Sequence, residues 1–214
     1  MKEMYQYENN LWRDGFQRVM GLDEVGRGCL CGPVVAAGVI IKPDSKLDPG
    51  ITDSKKLSDL KRRSLVDEIQ SKSLFWTIQY CSPGEIDQLN ILKASILAMM
   101  KCSEQKGADP DFLLVDGNRF TDTLIPYQCV VKGDDNSVSI AAASILAKVF
   151  RDDLMIRLHQ EYPYYGWESN VGYPTAAHYD GLKKFGYTKH HRKSFKLRTD
   201  KAFIKPDNLS VNTE

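Results

Sequence analysis

The feature that most constrains the fold is an uninterrupted apolar run at residues 34–41, in which valine, isoleucine and alanine surround a single glycine. The run lies between Gly32-Pro33 and Pro43, which are residues that interrupt regular structure. A short β-branched run with such boundaries is typical of a strand that is covered on both faces. The sequence therefore predicts a sheet with other elements packed on it.

Further strands and helices are predicted on both sides of this run. The strands fall at residues 18–23, 74–81, 112–115 and 128–131. The helices are predicted from 58 to about 71, from 82 to about 100, at 137–160 and at 175–185, with N-caps at Ser58, Ser82 and Thr175. Strands that come first and then alternate with helices predict a mixed sheet in the α/β class. We expect one domain at 1–199, helical from about 160, and a tail at 200–214.

The distribution of charge and the cysteine content indicate the compartment of the protein but do not identify its activity. The formal net charge is +1, but seven Lys or Arg residues and no acid lie between 183 and 198, and a second basic cluster lies at 55–63. Such patches either neutralise the phosphates of a nucleic acid or are no more than a solvent-exposed helix face and a basic tail. The five cysteines show no metal-binding spacing, so free thiols are expected. With no membrane-length apolar run and no secretion signal at 1–15, we expect a cytoplasmic protein.

Acidic residues follow three separate apolar segments. Asp23 and Glu24 come after the first predicted strand, Asp116 ends the strand at 112–115, and Asp134 follows the strand at 128–131. If these strands are neighbours in the sheet, the four carboxylates converge. Any one of these acids alone is more often a turn or cap residue, and the three strand ends together leave both interpretations open.

Converging carboxylates favour a particular chemistry. Four of them repel one another unless cations neutralise them. Hard oxygen ligands with open positions favour Mg²⁺ or Mn²⁺. Two such ions can clamp a phosphodiester and activate an attacking water.

A set of motifs in a fixed order resembles the ribonuclease HII family, the type 2 ribonucleases H. The set covers about residues 18–195 and consists of Gly21-Leu22-Asp23-Glu24-Val25-Gly26-Arg27-Gly28, Asp53-Ser54-Lys55-Lys56, Asp116-Gly117, the run at 139–152, Gly172-Tyr173-Pro174-Thr175 with His178, and His191-Arg192-Lys193-Ser194-Phe195. The related type 3 enzyme carries an extra N-terminal domain, whereas about 17 residues precede the first predicted strand here, which favours type 2.

The resemblance implies a ribonuclease H-like fold with a central five-stranded sheet and a helical C-terminal part. It implies cleavage on the 5′ side of a ribonucleotide in a duplex, leaving 3′-hydroxyl and 5′-phosphate ends. The family's catalytic carboxylates fall on Asp23, Glu24, Asp116 and Asp134, with Asp23, Glu24 and Asp116 as metal ligands. Asp135 offers a second acid beside Asp134, and strand register would place these two side chains on opposite faces.

The resemblance also implies substrate-binding residues. Gly26, Arg27 and Gly28 correspond to the family's sensor of the DNA–RNA junction, because glycines allow the backbone to approach a 2′-hydroxyl. Without the resemblance, these glycines read as a tight turn. Tyr173 matches the tyrosine that packs on the sugar next to the scissile phosphate. Lys55 and Lys56 are expected to hold phosphates.

The expected partners are RNA–DNA hybrids and duplex DNA that contains ribonucleotides, and a monomer is expected. His178 and His191 are expected to have structural or DNA-contacting roles. Two other classes of function compete with this one. A non-catalytic nucleic-acid-binding module would use the same basic patches, and a different two-metal hydrolase, such as a DNA nuclease or a phosphatase, would use the same acids.

Overall fold

The computed structural model describes residues 4–43 and 45–197, and its centre is one five-stranded sheet. The strands are β1 (Val19–Val25), β2 (Val34–Ile41), β3 (Ser73–Cys81), β4 (Phe112–Asp116) and β5 (Tyr127–Val130), in the spatial order β3-β2-β1-β4-β5. β1 pairs antiparallel with β2 and parallel with β4, and β4 pairs parallel with β5. The predicted mixed sheet in the α/β class is confirmed.

The helices fall largely where local signals predict them. They are α1 (Gln6–Arg13), α2 (Asp59–Lys72), α3 (Pro83–Leu89), α4 (Ile91–Ser103), α5 (Val138–Glu161), α6 (Trp167–Asn170) and α7 (Ala176–Phe185). The side chains of Ser58, Ser82 and Thr175 cap α2, α3 and α7, as predicted. Two short 3₁₀ turns, Ser54–Lys56 and Gly133–Asp135, were not predicted.

The single helix predicted from residue 82 to about 100 is wrong, because the chain breaks at Asn90. Asn90 has a φ of 76° and its backbone N–H donates to Ile86, which ends α3. Its side-chain oxygen then accepts from the backbone of Lys93 at 3.1 Å, which starts α4. Asparagine tolerates the left-handed region and is a good N-cap, so one residue ends one helix and begins the next.

The described residues divide into two compact units. Unit 1 contains the described residues up to Val25 together with Val35–Tyr80 and Ser95–Phe150. Unit 2 contains Gly26–Val34, Cys81–Ala94 and the described residues from Arg151 onward. The predicted tail at 200–214 lies outside the described residues.

The core of unit 1 forms where α5 packs on the sheet. Every residue of β2 is buried, and so is the α5 segment at 140–147. Gly21 of β1 lies directly against the backbone of Ser139, and a Cβ atom at Gly21 would overlap it. The absence of a side chain at Gly21 therefore lets β1 approach the start of α5 closely.

The core of unit 2 is aromatic. Tyr165 and Trp167 stack with ring centroids 4.8 Å apart, and Met155, Leu158 and Leu182 pack in the same cluster.

In the part of the chain that the structure describes, no helix is both long enough and apolar enough to cross a bilayer.

Candidate active site

The first two acids lie on β1, and the third lies beside them at the end of β4. Parallel pairing between these strands runs as far as Leu22 opposite Val115, and the next residues along the two strands are Asp23 and Asp116. Adjacent strands are only about 4.8 Å apart. The sheet register therefore places Asp23 beside Asp116. Asp23 is buried, and its Oδ1 accepts from the backbone N–H of Glu24 at 2.7 Å.

The fourth acid, Asp134, lies in a 3₁₀ turn and not at the end of a strand. Lys132 adopts a left-handed conformation with a φ of 54°, and the Gly133–Asp135 turn follows it. The backbone N–H of Gly133 donates to Asp116 Oδ1 at 2.7 Å, which fastens this turn to the end of β4. Asp134 is buried within the turn.

Asp134 and Asp135 have different partners, although not for the predicted reason. Strand register does not separate them, because both belong to the turn. Asp135 is held by Lys56, whose Nζ lies 2.5 and 2.6 Å from its two carboxylate oxygens. Asp134 has the Lys55 ammonium group 4.0 Å away. Of the two neighbours, Asp134 is therefore the one with the less closely compensated charge.

The four acids form one electrostatic cluster in unit 1. Burial raises the pKa of Asp23 well above its usual value, and Glu24, Asp116 and Asp134 raise it further, while a hydrogen bond from the Ser144 hydroxyl lowers it. Burial, followed by Asp116 and Asp53, raises the pKa of Asp134 to about 6, and Lys55 partly offsets this. The folded cluster therefore has less positive charge than its four acids need, because Lys55 compensates them only in part.

This lack of positive charge is the observation that fits a bound cation. Carboxylate oxygens are the donors that Mg²⁺ and Mn²⁺ prefer, and a dication would relieve the repulsion between the acids. Within residues 4–43 and 45–197, no three His, Cys, Asp or Glu side chains already stand together as a metal-ligand set. The fit therefore rests on the type of donor and on charge, and not on a preformed cage.

The two predicted phosphate-binding lysines occupy different environments. Lys55 is 78% exposed at its side chain. Burial lowers its pKa, but Asp134, Asp23, Asp53 and Asp116 raise it by more, so the net shift is upward. Lys56 is 56% exposed and bound to Asp135. Of the two, Lys55 faces the acidic cluster, whereas Lys56 is already in an ion pair.

Two serines connect these parts of unit 1. The Ser54 and Ser144 hydroxyl oxygens lie 2.8 Å apart, and Ser144 also donates to Asp23. Neither serine was predicted as a site residue. The available signal was Ser144 itself, which is a hydroxyl in the apolar part of α5 and, like any buried polar group, needs a partner.

The Gly26-Arg27-Gly28 loop belongs to unit 2, where two buried arginines hold its surroundings. Arg192 donates to the carbonyl oxygens of Gly26, Arg27 and Gly32 at 2.7, 2.9 and 3.0 Å. Arg151 donates to three further carbonyls nearby, those of Cys31, Pro33 and Val171. Sequence reasoning gave Arg151 no role in the site and placed Arg192 only within the basic run at 183–198, as a candidate phosphate contact, whereas the structure buries Arg192. Their signal was indirect, since both lie in the motifs that carry the family resemblance.

Tyr173 lies next to this loop in unit 2. A Cβ atom at Gly28 would stand 3.7 Å from Tyr173 Cε1, and the backbone N–H of Leu30 donates to the Gly172 carbonyl at 2.8 Å. The Tyr173 residue is 39% exposed. Unit 2 therefore brings together Gly26, Arg27, Gly28 and Tyr173, and unit 1 brings together the four acids and Lys55.

Comparison with known proteins identifies the family. The sequence model of the ribonuclease HII family matches residues 20–198. The chain is 51% identical to ribonuclease HII of Salinibacter ruber over 201 residues, which covers 92% of this chain and all of that protein. It is 48% identical to ribonuclease HII of Vibrio vulnificus over 195 residues, which covers 91% of this chain and 92% of that protein.

A solved structure with a similar fold is ribonuclease HII of Archaeoglobus fulgidus, determined in its complex with PCNA. The two structures match with a TM-score of 0.70 and 26% sequence identity, covering 86% of this chain and 97% of that one. The family match extends over most of the chain and includes the acidic cluster, the glycine-arginine-glycine loop and Tyr173. The chain thus belongs to the ribonuclease HII family of hydrolases, the ribonucleases H that cleave RNA in RNA–DNA hybrids.

Proposed function

We propose that this enzyme, besides cleaving RNA in hybrids, nicks duplex DNA on the 5′ side of single embedded ribonucleotides and leaves 3′-hydroxyl and 5′-phosphate ends. The observation that carries the proposal is the mutually repelling set of carboxylates in unit 1, of which Asp23 and Asp134 are buried. The loop and the tyrosine, which lie within the family match, resemble in sequence the family's junction sensor. The acids supply hydrolytic chemistry, and the loop supplies the choice of nucleotide.

In this proposal, Asp23, Glu24 and Asp116, together with Asp134, hold two Mg²⁺ or Mn²⁺ ions. Such ions, when bound, activate water and stabilise charge on a phosphodiester. The contribution of the chain's own groups is positional. The Ser144 hydroxyl orients Asp23, and the backbone N–H of Gly133 orients Asp116 at 2.7 Å. Each carboxylate thereby keeps one oxygen directed by a hydrogen bond.

Recognition of the ribonucleotide is assigned to the Gly26-Arg27-Gly28 loop and Tyr173. A 2′-hydroxyl distinguishes RNA from DNA because it both donates and accepts a hydrogen bond. Since Arg192 already occupies the carbonyls of Gly26 and Arg27, the loop's shape is set before substrate arrives. The Tyr173 ring packs on the neighbouring sugar, and Lys55 contacts a phosphate near the acids.

The two competing classes of function are less well supported. A non-catalytic binding module has no use for four clustered carboxylates, two of them buried, which repel phosphate when no metal is bound. An all-DNA nuclease or a phosphatase has no use for a loop that reads a 2′-hydroxyl. Membership of a family of RNA-cleaving hydrolases also disfavours both.

The test uses one DNA duplex with a single ribonucleotide and the same duplex made entirely of DNA. With Mg²⁺ or Mn²⁺, we expect one cut on the 5′ side of the ribonucleotide, none with EDTA, and none in the all-DNA duplex. Asp23→Asn should abolish nicking, whereas Asp14→Asn, which changes an exposed acid after α1, should not. Equal cutting of the two duplexes, or full activity of Asp23→Asn, contradicts the proposal.

A further inference from the structure

Two buried histidines of unit 2, His178 and His191, lie in contact beneath Tyr173. Their Nε2 atoms are 3.1 Å apart. Both residues are almost completely buried, at 0% and 2% exposure. This burial excludes the predicted alternative of direct DNA contact and leaves a role inside the protein.

The partners of the two rings determine where each proton is. The backbone N–H of Thr188 donates to His191 Nδ1 at 2.9 Å, so this nitrogen is an acceptor and the His191 proton is on Nε2. His178 Nδ1 lies 3.0 Å from the carbonyl oxygen of Tyr173, which only accepts, so the His178 proton is on Nδ1. His178 Nε2 is then an acceptor, as its contact with Trp167 Nε1 at 3.3 Å independently requires.

These assignments give a hydrogen-bond relay with one direction. Thr188 N–H donates to His191, His191 Nε2–H donates to His178, and His178 Nδ1–H donates to the Tyr173 carbonyl. Reversing it would place donor against donor at Thr188 and at Trp167, and acceptor against acceptor at Tyr173. Burial lowers the pKa of His178 to about 4 and that of His191 to about 3, so both rings stay neutral in this arrangement.

The relay ends on the backbone of a residue whose side chain is partly exposed. The Tyr173 carbonyl accepts from His178 Nδ1 and from the Thr175 backbone N–H at 2.9 Å, while the Tyr173 N–H donates to the Asn170 carbonyl at 2.9 Å. Solvent reaches 39% of Tyr173. These backbone contacts fix the direction of its Cα–Cβ bond, from which the ring projects.

The other end of the relay is fastened to the glycine-arginine-glycine loop. Cys31 and His191 form an isolated antiparallel bridge, and the Arg192 backbone N–H donates to the Leu30 carbonyl at 2.9 Å. The Arg192 side chain then holds Gly26 and Arg27. A continuous set of contacts within unit 2 thus joins the loop to Tyr173.

We propose that His178 and His191 are positioning residues that set the distance between the Tyr173 ring and the Gly26–Gly28 loop. The geometric part of this inference is independent of the proposed function. Its effect on cleavage rests on that function, since Tyr173 matters for cleavage only if it contacts substrate. A phenylalanine would fill the same space in this aromatic core, whereas the imidazole also supplies a hydrogen-bond donor to the Tyr173 carbonyl.

The first test reads geometry and needs no activity. In the folded protein, ¹⁵N NMR should show His178 protonated on Nδ1 and His191 on Nε2 throughout pH 6–8. A nuclear Overhauser contact between the Tyr173 ring and the Gly28 Hα atoms should be present, lost in His178→Phe and kept in His178→Asn, whose amide replaces the Nδ1–H donor. His190→Phe is the matched control, because His190 contacts Tyr162 and Trp167 in the same core but lies outside the relay. Opposite tautomers, or a contact that survives in His178→Phe, overturn the proposal.

The second test is a double-substitution cycle on the duplex with one ribonucleotide. We expect His178→Phe to lower kcat/KM by roughly five- to tenfold, the value of about one hydrogen bond, and His178→Asn to restore most of the loss. In a Tyr173→Ala background, His178→Phe should cause no further loss, because the positioned ring is gone. If the losses in kcat/KM caused by His178→Phe and Tyr173→Ala multiply in the double variant, the relay is contradicted. If the wild-type enzyme does not cut this duplex, the proposed function is contradicted, and the NMR result alone decides whether the relay exists.

Discussion

The Arg151 side chain fills the space into which a Cβ atom at Gly26 would project. Gly26 also has a φ of +91°, a conformation that residues with side chains rarely adopt. Arg151 has little freedom to move aside, because its guanidinium group is buried and bonded to the carbonyls of Cys31, Pro33 and Val171. Glycine at position 26 is therefore required twice, by backbone conformation and by contact.

Replacing Gly26 by alanine should consequently destabilise the protein strongly. We expect Gly26→Ala to lower the free energy of unfolding by about 3 kcal/mol, from the left-handed backbone and from overpacking. Gly15→Ala is the matched control, because Gly15 has a φ of +100° with nothing within 4 Å of the added atom, and it should cost only about 1 kcal/mol. Urea unfolding measures both values, and equal losses would show that the Arg151 contact is unimportant.

Arg192 should resist conservative replacement. Its three bonds to the carbonyls of Gly26, Arg27 and Gly32 need the planar guanidinium group, and a lysine ammonium group does not reproduce them. We expect Arg192→Lys to reduce the free energy of unfolding by about 3 kcal/mol, since the buried carbonyls of Gly26 and Gly32 lose their donor. The exposed Arg157→Lys substitution supplies the comparison and should unfold at the same urea concentration as wild type. A wild-type midpoint for Arg192→Lys would contradict the prediction.

Removing one acid from the cluster should stabilise the protein while it inactivates the enzyme. Because burial, Asp116 and Asp53 raise the pKa of Asp134 to about 6, its charge at neutral pH costs folding free energy. We expect Asp134→Asn to raise the melting temperature in EDTA by about 2–4 °C, corresponding to about 1 kcal/mol, and to abolish nicking.

Divalent metal supplies the complementary measurement on the same variant. Mg²⁺ should raise the melting temperature of the wild type more than that of Asp134→Asn, because a cation bound by the acids stabilises the folded state. Asp14→Asn, which lies outside the cluster, should match wild type both in EDTA and in Mg²⁺. An Asp134→Asn variant that melts below wild type in EDTA would rule out electrostatic strain in the cluster.

The parts of the fold that sequence predicts well are those determined by neighbouring residues. β2 was predicted with the right bounds because its apolar run is continuous, and the Ser58, Ser82 and Thr175 caps are local signals. Helix α1 was missed because its stabilising contact is distant. The buried Glu8 carboxylate accepts from the Ser137 hydroxyl at 2.5 Å, from the Ser139 backbone at 3.0 Å and from the Ser139 hydroxyl at 2.6 Å.

The same distinction applies to the candidate site. The acids of β1 and β4 lie at the ends of apolar segments, so the pattern predicts their convergence only if the two strands are neighbours, and the resemblance to the family favours that arrangement. The turn that carries Asp134 was not predictable, because it depends on the left-handed Lys132 and on the bond from Gly133 to Asp116. The relay through His178 and His191 depends on Thr188 and Trp167, whose relation to these rings exists only in the folded chain.

The two buried histidines should make the protein sensitive to acid. Burial lowers the pKa of His178 to about 4 and that of His191 to about 3, whereas in the unfolded chain each imidazole binds a proton near its ordinary pKa of 6.5. The unfolded state therefore binds more protons in this range, so the stabilisation is complete above pH 6.5 and is lost as the pH falls toward 4. Each imidazole changes the free energy of unfolding by about 1.4 kcal/mol per pH unit at most.

We expect the His178→Asn/His191→Gln variant, whose two substituted side chains do not titrate in this range, to lose less free energy of unfolding between pH 6 and pH 4.5 than the wild type, as measured by urea unfolding. Because both proteins keep the same carboxylates, the acidic cluster contributes equally to both profiles, and parallel profiles would show that the two imidazoles are not buried as neutral groups.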